Sequence, residues 1–151
     1  MANTQAMCTS FKSEILTGTH NFGVAPIRAA TTADTFKAAL YLASGSQGAA
    51  TTAYAVTNEV TGTNYTAGGV SVTNATVPTT SGTTAYWTPS ASITYTNVTL
   101  TTAFDCVLIY NSTQSNKAVS VHTFGSQTVT AGTFSLTMPS NAAGTALLNI
   151  A

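Results

Sequence analysis

The chain has 151 residues, enough for one domain with a core of its own. Charged residues make up 5% of it and sum to zero, against about a quarter in an ordinary globular protein. No basic or acidic cluster exists, which argues against nucleic-acid binding, and the usual reserve of catalytic acids and bases is missing.

The opening, "MANTQAMCTSFKSEIL", has no apolar run of signal-peptide length, and no later stretch could span a bilayer. The sequence therefore predicts synthesis in a cytoplasm and no membrane partner. Thr9 or Ser10 can cap a short helix over "SFKSEILTG", with Phe11, Ile15 and Leu16 as its apolar stripe and Gly18 as its stop. "HNFGVAPIRAATTA" follows as an extended arm, because Pro26 lacks a donor and no periodicity survives there.

From Asp34 onward every signal is β. Threonine, at about one residue in five, takes the place of charge and suits a pleated, half-buried surface. "TFKAALYL", "AYAVTNEV" and "VSVTNATV" are expected strands, separated by the loops "SGSQGAATT" and "TGTNYTAGG". "TAYWTP" and "SITYTNVTL" follow as short strands, and "FDCVLIYN", the most apolar run, belongs in mid-sheet, buried on both faces. "NKAVSVHTFG", "QTVTA", "TFSLTMP" and "ALLNI" complete the set. Eight to ten short strands with Gly, Pro, Asn and Ser between them predict an all-β fold. The expectation is an antiparallel β-sandwich or jelly roll with a short N-terminal helix and extended arm. Residues 1–33 form the helix and arm in this reading, and residues 34–151 the sandwich.

Chemistry is sparse. His122 and Asp105 could be cross-strand neighbours, and serines are plentiful, but no "GxSxG" elbow supports a Ser–His–Asp set. A structural histidine bonded to a neighbouring hydroxyl or carbonyl is the better reading. His20 and His122 are too far apart for a metal signature, and Cys8 and Cys106 lie outside metal-ligand spacing, so both are read as buried or half-buried free thiols. Gly62, Gly68 and Gly69 follow turn chemistry and no phosphate-cradle pattern. The N-x-S/T triplets at Asn64, Asn74, Asn97 and Asn111 are incidental in a chain so rich in threonine. Trp87, near Tyr86 and Tyr95, is either part of an aromatic core cluster or a stacking platform or interface anchor. No catalytic residue, metal or cofactor is expected.

"SFKSEILTGTHNFG", "DTFKAALYLAS", "NEVTGTNYTAGG" and "VLIYNSTQSNKAVSVHTFG" together resemble a group of small virion structural proteins of tailed bacteriophages. The resemblance covers nearly the whole chain and rests on packing and turn patterns. It implies a non-enzymatic virion component, similar to the jelly-roll cement or decoration proteins that clamp neighbouring major capsid subunits on phage heads. A tail or fibre-associated, receptor-binding protein is the alternative. The implied partners are the major capsid protein and further copies of the chain itself, as a homo-oligomer (dimer or trimer).

With four residues of each sign, salt bridges cannot be the main adhesive, and apolar burial is the larger available term. The residues expected to supply it are Phe11, Ile15 and Leu16 on the helix, Phe22 in the arm, and Trp87. Met1 to Ala30 hold too few apolar residues for a core of their own, so this segment is expected to reach another subunit.

Overall fold

The structure, a computed structural model, describes residues 2–16, 18–20, 22, 33–73 and 77–151, and the side chains of all of these but Lys12, Ser13 and Leu16. Two antiparallel sheets pack against each other as an all-β sandwich. In chain order the elements are β1 (Ala6–Met7), α1 (Thr9–Leu16), β2 (Phe36–Leu42), β3 (Val70–Ser71), β4 (Thr79–Ser81), β5 (Thr84–Trp87), β6 (Ile93–Asn111), β7 (Lys117–Leu136) and β8 (Leu148–Ile150). The larger sheet runs β1-β7-β6-β2-β3, and the smaller runs β4-β5-β8.

Most of the expected short strands of the second half are fused. "SITYTNVTL" and "FDCVLIYN" are one strand, β6, and the three segments from Lys117 to Leu136 are another, β7. Threonine makes this possible, because it keeps β-propensity at exposed positions where a break would otherwise fall. The fused strands form a hairpin whose register shifts at several points between Tyr95 and Cys106, so bulges stand where sequence reading places strand ends. Ala131, at a φ of 46°, marks one irregularity.

"AYAVTNEV", expected as a strand, is instead part of a long loop. Single bridges tie this loop to the sheet at Ala53↔Lys117, Tyr41↔Glu59 and Thr63↔Thr99. Asn58 turns with a φ of 63°, which breaks the alternation that the sequence suggests. "VSVTNATV" is a strand over Val70–Ser71 alone among its described residues, and positions 74–76 lie outside them.

The core follows from the central position of β6. Phe104, Cys106, Leu108 and Tyr110 alternate with Val107, Ile109 and Asn111, and all are buried because sheet neighbours and a covering layer close both faces. The helix starts at Thr9, so both residues read as possible caps lie inside it, and it ends as its sequence dictates. Gly18, at a φ of 65°, donates its N–H to the Ile15 carbonyl at 3.0 Å, and Thr19 donates to Glu14 at 2.9 Å. The amino-terminal segment is built into the domain over its described residues: β1 pairs with β7, and Cys8 and Phe11 are core residues. Of the arm expected over residues 20–33, His20, Phe22 and Ala33 are described, and the rest lies outside the described residues.

Candidate interaction site

An apolar cleft of about 220 Å³ opens between the smaller sheet and α1. On one wall, Ala85 and Trp87 of β5 and Leu148 and Ile150 of β8 share a face, as their register pairs Ala85 with Ile150 and Trp87 with Leu148. Tyr86 and Pro78 extend this wall. Phe11 and Ile15, one helical turn apart on α1, form the opposite wall with Phe22 and His20.

Four of the five residues expected at an interface therefore come together, but in two roles. Phe11 and Trp87, 1% and 2% exposed, are the buried floor of the cleft. Phe22 locks that floor: it stacks on Phe36 at 4.5 Å between ring centroids and meets Trp87 edge-on at 4.8 Å. Trp87 is thus a core aromatic, with little face left for stacking on a ligand. Ile15, 36% exposed, is at the rim. Leu16 closes the helix, and its side chain lies outside the described residues.

A half-buried polar chain holds α1 in place behind the cleft. Glu14 binds Lys117 at 2.5 Å through one carboxylate oxygen and His20 Nε2 at 2.7 Å through the other. Asn111 Nδ2 lies 3.2 Å from His20 Nδ1 and donates to Asp34 at 2.7 Å, while its Oδ1 accepts the Thr113 and Gln114 amides. These partners define a neutral His20 that donates from Nε2 and accepts at Nδ1. Burial lowers the His20 pKa, more than the Glu14 carboxylate raises it. Burial also pushes the Glu14 carboxyl upward, but hydrogen bonds and charge from Lys117 and His20 outweigh it, so its pKa is lowered. Asn111, fully buried, has no room for a glycan.

A second buried carboxylate lies elsewhere on the larger sheet. Glu59, 6% exposed, accepts from the Tyr54 hydroxyl at 2.6 Å, the Tyr65 hydroxyl at 2.8 Å and the Gly68 amide at 2.7 Å. Burial, then the hydrogen bond to Glu59, raises the Tyr54 and Tyr65 pKa values, so both phenols stay protonated as donors. Sequence reading missed this cluster. Its one signal was that Glu59 is the sole charged residue between Lys37 and Asp105.

The nucleophile and metal candidates do not assemble. His122 pairs with Val107 across the hairpin and shares a 2.9 Å hydrogen bond with Ser120, while Asp105 accepts from Asn3 at 2.5 Å. Burial lowers the His122 pKa to about 4. Cys8 and Cys106 are buried free thiols, pushed up to about 11 and about 12, first by burial and then by Glu14 and Asp105 respectively. Among the described residues, no three His, Cys, Asp or Glu side chains converge as metal ligands, and no helix is long and apolar enough to cross a membrane. No protein-family model, curated protein or solved structure matches the chain. The cleft is therefore the candidate site on its geometry alone.

Proposed function

We propose that the protein is a non-enzymatic structural component of a phage virion, a head cement or decoration protein that stabilises the capsid by binding neighbouring major capsid subunits. The observation that carries this reading is the uncharged cleft, an apolar opening between α1 and the smaller sheet with Ile15 and Ile150 exposed at its rim. Such a surface suits contact with other neutral protein surfaces, since little charge hydration is lost on docking. Repetition around a shell adds many modest contacts. The resemblance to small virion proteins supplies the setting.

Copy number tests the assignment. A quantitative gel of purified virions and isolated tails should show the chain at a stoichiometry comparable to the major capsid protein, and absent from tails. A few copies that follow the tail fraction would transfer the chain to the alternative, a tail or fibre-associated receptor-binding role. Absence from virions would end both readings. Binding of the purified protein to heads that lack it should persist in molar sodium chloride, because exposed ion pairs are screened and apolar burial is not.

A further inference from the structure

We propose that His20 is an acid-sensitive latch: on charging, it leaves its seat between Glu14 and Asn111 and frees the end of α1, while the sandwich stays folded. The proposal is independent of the virion assignment. Its starting point is the Asn111 side chain, fully buried in β6. Backbone amides can only donate, so the N–H groups of Thr113 and Gln114, each at 3.1 Å, fix which atom of that side chain is oxygen. Nδ2 then faces Asp34 at 2.7 Å and His20 Nδ1 at 3.2 Å, and its two hydrogens are committed to them.

Asn111 therefore dictates the state of His20. Nδ1 must accept, the ring hydrogen sits on Nε2, and Nε2 donates to Glu14 at 2.7 Å. A second proton would turn Nδ1 into a donor that faces a donor. Asn111 cannot answer by turning its amide over. That would strip the acceptor from two backbone N–H groups and set its oxygen against the Asp34 carboxylate. Water does not relieve the clash in place, because the His20 side chain is 0% exposed. The charged ring is released instead.

Among the described residues, the groups that face the ring come from α1, the segment ahead of β2, β6 and β7. Glu14 and Asp34 favour an imidazolium, Lys117 opposes it, and Asn111 blocks its second donor. Phe11 and Phe22 pack on the ring from the cleft side, at 4.7 and 6.4 Å between centroids. Burial outweighs the two carboxylates, so the seated ring has a lowered pKa and gains its proton more readily on leaving. Latching is thus complete above about pH 6.5, the ordinary histidine value, and weakens as pH falls below it. Glu14, held below the usual carboxylate range, stays ionised down to about pH 5. Release breaks the route from Glu14 through His20 to β6, and it removes the part of the cleft wall beside Phe11 and Ile15.

Amide hydrogen exchange of the purified full chain tests the latch. Protection factors at Ile15, and at Thr19, which donates to the Glu14 carbonyl, should fall by at least about threefold from pH 7 to pH 5. Leu108 in β6 should stay far better protected throughout, which marks the opening as local. His20→Gln should flatten the pH dependence at Ile15 and Thr19, and His122→Gln should leave it in place. A flat wild-type profile, a slope that survives His20→Gln or is lost in His122→Gln, or protection at Thr19 equal to that at Leu108 would each overturn the proposal. Nitrogen NMR of the wild-type chain at about pH 7 adds a check that needs no variant. The expected His20 hydrogen is on Nε2, and a hydrogen on Nδ1 would overturn the proposal even if His20→Gln failed to fold.

Discussion

Glu59 and Glu14 are both acids drawn in from the surface, and the regions they serve are finished to different degrees. Around Glu59 the loop after β2 closes over the sheet. Tyr54 stacks on Tyr110 at 4.8 Å, Tyr110 donates to the Gly68 carbonyl at 2.8 Å, and Tyr95 donates to Ala38 at 2.8 Å. Each phenol there has an aromatic body in the core and a hydroxyl with a partner. Around Glu14 the polar chain is equally complete, yet the apolar layer beside it stops short and leaves Ile15 and Ile150 exposed. A polar cluster that is closed on all sides fixes a fold. One that braces a helix against an open cleft holds a surface in shape for something else.

The sharpest way to break the closed region is at Gly69. Its φ is 69°, and a Cβ there would stand 1.7 Å from the Ala38 carbonyl oxygen, the same atom that accepts the Tyr95 hydroxyl. Gly69→Ala should cost about 4 kcal/mol or more in urea unfolding, or prevent folding outright. Unchanged stability would show that this backbone approach is looser than described. Glu59→Ala comes next, at about 3 kcal/mol, because it strips partners from two part-buried hydroxyls and one buried amide at once. Comparison with Glu14→Ala sharpens the contrast: Glu14 has Lys117, itself 38% exposed, as a partner that water can resolvate, so the loss should be smaller.

Acid should act through both histidines. Their folded pKa values are lowered, so below about pH 6.5 the unfolded chain binds protons that the native chain refuses, and stability falls as pH drops. The depressed Glu14 carboxyl adds a further loss at lower pH, as it is protonated in the unfolded chain first. His122→Gln should remove about 2 kcal/mol of the loss between pH 7 and pH 4, once partial solvent access is allowed for. Urea midpoints measured across that range would expose a wrong sign, since wild-type stability would then rise on acidification. The smallest effect belongs to the rim. Ile15→Ser should stay within about 0.5 kcal/mol of wild type in the isolated chain at a concentration too low for association. A large loss would mean that Ile15 is a core residue.

Local patterns carried the fold class. β-branched and aromatic runs, turn residues and the single capped helix with Gly18 were sufficient for an all-β sandwich, because each depends on neighbours in sequence. Strand lengths were not legible. Positions 101–103, 126 and 132 read as breaks, and only pairing within one hairpin made them continuous strand. The site was half legible. Sequence marked Phe11, Ile15, Phe22 and Trp87 as apolar residues available for contact, but gave no means of sorting floor from rim, since that depends on which sheet faces α1.

What the sequence determined by itself was a neutral, threonine-rich β chain with a short helix near its start, in which charge could serve only at a few points. Tertiary structure decided where those points fall. Glu14 and Lys117 are 103 residues apart, and Asn111 and Asp34 are 77 apart, so no local pattern could announce their contacts. It decided too that α1 and the smaller sheet meet around an apolar cleft whose rim leaves Ile15 and Ile150 exposed.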